Sequence, residues 1–355
     1  MSSAARARYY TRRGRRAARK EGYCMKRVLA IAALAALSGA SLFAFGSREA
    51  PAAAAKAPLE LRIGALKGPS GMGMIELFEN SPSLPDQLSV RFEALSGADS
   101  AAAKLLSGEL DGAVLPVNMA AKLYNAGLPY RLAALVGNGM VKILSADTGI
   151  RSLSDLKGRE VHVAGQGATP EYLLRAVLKH AGMDADKDMR LAFNLPYPEM
   201  AASLASGKIA VAVLPEPFAT VAMKANPALR EAFSLGALWT AATGQADYPM
   251  TVFVLRSSLI AERPEGVQAL LKAYKASIAS VIADPQAAGL LVEKHDFGLK
   301  APIAAAAVPN ANFTFEGAPG ARASVEALLQ LFLQSAPVSI GGKLPDGGFY
   351  ADLGL

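Results

Sequence analysis

Apolar and polar positions alternate in short blocks along most of the chain and change to helical spacing towards its end. LSVRFEAL at residues 88–95 has the two-residue period of a strand, and LELRIGAL at 59–66 is a short apolar-rich strand. Further strands are predicted at 113–115, 130–136, 141–145, 160–164, 190–194, 211–214 and 248–255. Helices are predicted between them at 72–79, 100–107, 118–126, 171–180, 198–206 and 217–224, with Gly108 and Gly127 as stops. Strands and helices alternating at this size build βαβ units on a parallel sheet, which predicts an α/β fold. From 264 the pattern is helical at 264–283, 285–294, 301–308 and 318–334, before a turn-rich tail. Trp239 falls in a predicted loop or strand end.

One phrase occurs twice. LLSGELDGAVLPVN at 105–118 returns as LASGKIAVAVLPEP at 204–217, an offset of 99 residues. Leu105, Ser107, Gly108, Ala113, Val114, Leu115 and Pro116 meet identical residues, and Gly68, Ser70 and Arg91 fall on Gly167, Thr169 and Arg190. A constant offset implies two copies of one structural unit. Facing each other across their Pro loops, they predict a two-lobed cleft. The expected division is 59–145 plus about 250–355 for the first lobe and its bracing helices, and 146–249 for the second. The strand at 248–255 is the return crossing.

Composition alters this picture at the N-terminus. The net charge is +7, but the first 27 residues carry ten cations against Glu21, so the remainder is slightly acidic and nothing in it suggests nucleic-acid binding. Residues 1–24 read as an over-called start. Met25-Lys26-Arg27, the apolar run at 28–37 and Ala44-Phe45-Gly46 read as a secretory signal over 25–46, followed by an Ala/Pro linker at 47–58. Leu37-Ser38-Gly39 is followed by Ala40, so the lipid-accepting cysteine is missing there. The only cysteine, Cys24, precedes the expected start. The mature chain therefore has no disulfide and no thiol nucleophile.

Candidate chemistry gathers in the paired loops. Ser70 in Lys67-Gly68-Pro69-Ser70-Gly71-Met72 and Thr169 in Gln166-Gly167-Ala168-Thr169-Pro170 are placed to cap the helices that follow. Such loops aim free N–H groups beyond strand ends and favour anionic or polar ligand groups. After Pro116, Asn118 can donate and accept. At the matching rim, Glu216 either binds a cationic or hydroxylated group or serves the next helix. Lys67 is a candidate cation for an anionic ligand, and Asn138 sits between two glycines at a rim or tight turn. Tyr172, Tyr197, Phe218, Trp239 and Tyr248 are core candidates of which one or two face a ligand. Nucleotide-binding, nucleophile-elbow and metal-spacing motifs are absent from the sequence, so no catalytic residue, cofactor or metal is expected.

LRIGALKGPSGMGM, SLSDLKGREVHVAGQGATPEYLL, AVLPEPFATVA and GGKLPDGGFY together resemble the periplasmic substrate-binding proteins of ABC importers. The group is the nitrate/sulfonate/bicarbonate type, which includes binders of the thiamine pyrimidine precursor. The resemblance covers residues 59–350. It implies a type 2 periplasmic-binding-protein fold that closes on a small ligand, with a permease and an ATPase as partners and no catalysis. It places the pocket at Lys67–Met72, Pro116–Asn118, Gln166–Thr169 and Glu216. Expected ligands are a sulfonate, nitrate or a pyrimidine-like solute bound by a monomer at the periplasmic or extracellular face. The competing expectation is an enzyme on the same fold in thiamine-precursor or menaquinone chemistry. N-terminal sequencing of the exported protein should read from near Ser47. Recovery of material still beginning at Met1 or Met25 would contradict the leader.

Overall fold

The computed structural model describes residues 56–163, 165–167 and 169–354. The leader and most of the linker lie outside them, as does Ala168. In chain order the first stretch runs β1 (Leu59–Leu66), α1 (Pro69–Met72), α2 (Ile75–Glu79), β2 (Leu88–Leu95), α3 (Ala98–Leu106), β3 (Gly112–Pro116), α4 (Val117–Asn125), β4 (Tyr130–Asn138) and β5 (Val141–Ser145). The second runs β6 (Glu160–Val163), α5 (Thr169–His180), β7 (Arg190–Ala192), α6 (Tyr197–Ala205), β8 (Val211–Pro215), α7 (Phe218–Ala225), β9 (Arg230–Phe233) and α8 (Leu235–Thr243). Then follow β10 (Pro249–Arg256), α9 (Ser257–Glu262), α10 (Pro264–Ala283), α11 (Pro285–Lys294), α12 (Ala301–Ala307), β11 (Phe313–Gly317) and α13 (Ala318–Ser335).

Two sheets result, in the orders β11-β4-β10-β3-β1-β2 and β7-β6-β8-β5-β9. Setting β2-β1-β3-β10-β4 beside β7-β6-β8-β5-β9 gives one topology used twice, with the antiparallel strand fourth in each. The 99-residue offset carries α3 onto α6 and β3 onto β8 residue for residue. Gly108 and Gly207, at φ +75° and +74°, close the paired helices in the left-handed conformation that glycine adopts without a Cβ penalty.

The chain changes sheet at Gly139-Met140, so β5 belongs to the second sheet and not to the first lobe as expected. Its hydrophobic pattern announces a buried strand but cannot name the partner, and pairing with β8 decided it. Trp239 lies within α8, fully buried, with its indole N–H donated to the Asp247 carbonyl at 2.9 Å. The edge strands β9 and β11 escaped the sequence reading because neither alternates cleanly between buried and exposed.

Packing is arranged around the first sheet. Leu61, Ile63, Val114 and Phe253 meet Leu270 and Tyr274 of α10 on one face. On the other, a buried cluster runs from Leu115 and Leu132 through Phe332 of α13 to Leu173 and Val213 of the second sheet's layers. The two lobes therefore share apolar contact along α13, and Tyr172 of α5 packs 5.8 Å from Phe332.

The bracing helices also fix the loop after β1. Tyr274 donates its hydroxyl to the Ser70 carbonyl at 3.1 Å, and Ser277 to the Gly73 carbonyl at 2.7 Å. A Cβ on Gly71 would overlap the Leu66 carbonyl oxygen and press on the Phe297 ring. Gly71→Ala should therefore cost about 1–3 kcal/mol, the range for overpacking a filled site, read as a lower urea midpoint. An unchanged midpoint would show that the loop yields.

Candidate functional site

The carboxyl ends of β1, β3, β6 and β8 face the seam between the sheets, and the loops that follow them carry most of the predicted residues. In open α/β sheets this is where ligands bind. Lys67 follows β1 and pairs with Asp296 at 3.3 Å. Gly68 has open space where a Cβ would stand. Gly68, not Ser70, is the N-cap of α1, with no side-chain cap; Ser70 lies inside that single turn, buried. Met72 is fully buried with Phe297 and Val292 in the packing behind the loop, so the structure gives it a core role.

Pro116 ends β3 and precedes α4, whose first turn holds Asn118 at 2% exposure. Thr169 begins α5 and is fully buried. Its hydroxyl donates to Asn118 Oδ1 at 3.0 Å, across the seam. The helix-cap role expected for Thr169 is thus replaced by a bond between lobes. The amide of Gly167 donates instead to Glu171 Oε2 at 2.8 Å, and Gly167 sits at φ +75°. Gln166 is exposed.

The polar centre of the second sheet is built by register. Pairing of Val141 with Pro215 and of Lys142 with Leu214 brings Lys142 beside Glu216. Glu216 is 1% exposed, and its N–H donates to the Met140 carbonyl at 3.0 Å. Its Oε2 accepts the Thr220 N–H at 3.1 Å in the first turn of α7, so it does serve that helix end. Its Oε1 stands 3.6 Å from Lys142 Nζ and has no hydrogen-bond partner among the described residues. Burial pushes the Glu216 carboxyl above the usual range, against weaker opposing pulls from Thr220 and Lys142. Lys142 Nζ also donates to Asn310 Oδ1 at 3.0 Å, which ties this centre to the C-terminal helices.

A cavity of about 460 Å³ opens here at the crossing, bordered by Lys142, Glu231, Asp247, Tyr248, Asn310 and Asn312. Tyr248 is 1% exposed; its ring packs against Gly139 and its hydroxyl accepts the Val141 N–H at 3.3 Å. It is first a residue that packs the crossing between the sheets, and it also borders the cavity. Asn138, half-buried at the end of β4, donates its N–H to the Asn312 carbonyl at 3.0 Å. Of the other aromatics, Tyr197 and Phe218 pack on each other at 5.3 Å.

Lys142, Asn310, Asp296 and Thr251 were missed. Lys142 had a signal, a lone cation in the apolar strand VKILS. Asn310 and Asp296 had none, because the helical segment that carries them has no counterpart in the repeat. Thr251 pairs with Pro116 and Gly137, and its buried hydroxyl lacks a partner among the described residues. Those residues contain no cluster with metal-ligating composition and no helix long and apolar enough to cross a membrane.

Two similar α/β sheets with their strand ends gathered on a shared polar seam define the type 2 periplasmic-binding-protein architecture. The chain belongs to the NMT1-like family, whose model matches residues 76–289. No curated protein matches the sequence significantly. Among solved structures, an ABC transporter protein from Parabacteroides distasonis is 26% identical with a TM-score of 0.68, over 82% of this chain and 98% of that one. The periplasmic aliphatic sulphonate binding protein SsuA from Escherichia coli is 19% identical with a TM-score of 0.63, over 82% and 93%. The periplasmic nitrate-binding protein NrtA from Synechocystis is 17% identical with a TM-score of 0.54, over 70% and 69%. These last two share the fold.

A raised carboxyl pKa means that the folded state holds a proton the unfolded chain releases, from about pH 4.5 upward. Glu216 therefore costs stability as pH rises through its raised pKa. Glu216→Gln should gain on the native protein as unfolding is measured from pH 4 to pH 8. A difference that stays constant would mean that Lys142 compensates the carboxylate fully.

Proposed function

We propose that this protein is the exported solute-binding component of an ABC importer. It captures a small organic or oxyanionic solute between its lobes and presents the closed form to a membrane permease driven by an ATPase. The observation that carries this reading is the Thr169–Asn118 bond: two rim residues from opposite sheets, at positions marked by the repeat, meet in a buried contact. A hydrogen bond of this kind contributes only about 0.5–1.5 kcal/mol net. A solute that makes several bonds to both rims can therefore bias the lobes between open and closed forms. The fold shared with the Parabacteroides, sulphonate-binding and nitrate-binding proteins supports the same reading. The protein acts as a monomer and returns its ligand unchanged.

A thermal-shift screen of sulfonates, nitrate, aminopyrimidines and flavins should find a solute that raises the melting temperature with concentration. Small-angle scattering with that solute should show compaction. Chemical conversion of a compound, with no stabilisation by any, would refute the binding role. Thr169→Val and Ser70→Val should each weaken binding by roughly tenfold, about 1.4 kcal/mol, while moving the unliganded melting temperature less. Unchanged affinity in both would remove these loops from the site.

A further inference from the structure

The chain crosses between the sheets twice, at residues 138–141 and 246–249, and one side chain from outside the repeat is bonded to both crossings. Asn312 stands between α12 and β11. Its side-chain amide donates to the Gly139 carbonyl at 2.9 Å and to Asp247 Oδ2 at 2.6 Å. Its backbone carbonyl accepts the Asn138 N–H at 3.0 Å. Asp247 Oδ1 accepts the N–H groups of Gly139 and Tyr248 at 3.2 and 2.7 Å, so the same carboxylate ties the two crossings to each other. Gly139, Asp247 and Asn312 thus form one closed set of bonds. A Cβ on Gly139 would overlap the Tyr248 ring and Asp247 Oδ1, so the close approach requires glycine there. Asn312 lies at φ +47°, a left-handed backbone that asparagine adopts more readily than most residues.

The segment that carries Asn312 is held by the first lobe and reaches the second. Val308 is buried with Met72, Ile75 and Val281. Asn310 accepts the Lys142 ammonium of β5 at 3.0 Å and donates to the Thr220 hydroxyl of α7 at 3.5 Å. A turn of the second lobe that changes the torsions at Gly139 has to break a bond to Asp247 or to Asn312. The cavity of about 460 Å³ is bordered by Gly139, Asp247, Asn310 and Asn312. On that side the crossing is therefore held by directional bonds and not by the close packing that fixes an interior.

We propose that Asn312 and Asp247 form a catch on the crossing, which keeps the lobes in the form where Thr169 meets Asn118 before any solute is bound. Releasing the catch frees the second lobe to swing away and part that pair. The catch stands outside the rim loops, so it sets the share of molecules in each form, and through that share the apparent affinity, without touching the solute. A bond to a carboxylate is stronger than one between neutral groups, but Asn312 is exposed and water competes for its amide. Together its two side-chain bonds are worth about a fivefold change in the balance between the forms.

This inference rests on the binding-protein reading only in that the lobes move, and the test needs no solute, so the two fail separately. The exported protein from Ser47 onward has no cysteine, which leaves Lys122→Cys in α4 and His180→Cys in α5, both exposed, as the only sites for a pair of spin labels. Their separation is read as a distance distribution by pulsed electron resonance. Asn312→Gly removes the side chain and suits the left-handed backbone. It should raise the share of longer distances about fivefold over the native protein. Asn312→Asp, which sets a second carboxylate against Asp247, should raise it further. Asn226→Ala is the control, because it removes two bonds inside the second lobe, to the Ala205 carbonyl and from the Ala228 N–H, far from the crossing in sequence. It should lower the urea midpoint and leave the distances unchanged. Native distances in both folded Asn312 variants overturn the catch, whatever the solute screen finds. A shift of equal size in Asn226→Ala overturns it as well, since general loosening would then explain the change. If Asn312→Asp does not fold, Asn312→Gly and the control decide the matter.

Discussion

A carboxylate withdrawn from water has to be given partners, and the position of Glu216 organises the seam around that requirement. Its Oε2 goes to the first turn of α7 and its Oε1 faces Lys142, while Lys142 reaches on to Asn310 in the helices that follow the repeat. The arrangement depends on β5 pairing with β8 at one register, since a slip of one residue would turn Lys142 to the other face of the sheet. Breaking a buried pair of this kind by removing one member leaves an uncompensated charge, which is why both partners and the register act as one unit.

The same economy runs through the rest of the seam. Polar groups at the rim are each paired within the protein: Thr169 with Asn118, Gly167 with Glu171, Lys67 with Asp296. On the binding-protein reading proposed above, a ligand has to replace those bonds with better ones. Along α13 the lobes share apolar packing, and the chain passes from the first sheet to the second at Gly139-Met140.

Duplication explains why the two rims are comparable and where they differ. Shared residues build like features in both lobes: Gly108 and Gly207 close the paired helices, and Pro116 and Pro215 end the paired strands. The unshared ones stand at equivalent places: Asn118 falls on Pro217, Val117 on Glu216 and Lys67 on Gln166. One lobe thus presents an amide and a solvent-facing cation, and the other a buried acid. On the binding-protein reading proposed above, this difference is where ligand selectivity lies, and the common scaffold only sets the spacing.

Much of this was legible in the residues alone. Hydrophobic period and glycine stops locate most strands and helices, because they are local consequences of burial and backbone freedom. The 99-residue offset announces two like units, and the strand-end loops carrying Asn118, Thr169 and Glu216 mark the rim. The partners of those side chains were not legible. Whether Thr169 caps its own helix or reaches Asn118, whether β5 joins the first or the second sheet, and that Asp296 and Asn310 arrive from outside the repeat all depend on contacts between residues far apart in sequence. Local pattern records which face of an element is buried, but the identity of the group it meets is set by how whole layers pack. For that reason the sequence by itself determined the two-lobed α/β scaffold and its rim, and only the tertiary structure decided which partners the rim's side chains take, Thr169 with Asn118, Gly167 with Glu171 and Glu216 with Lys142.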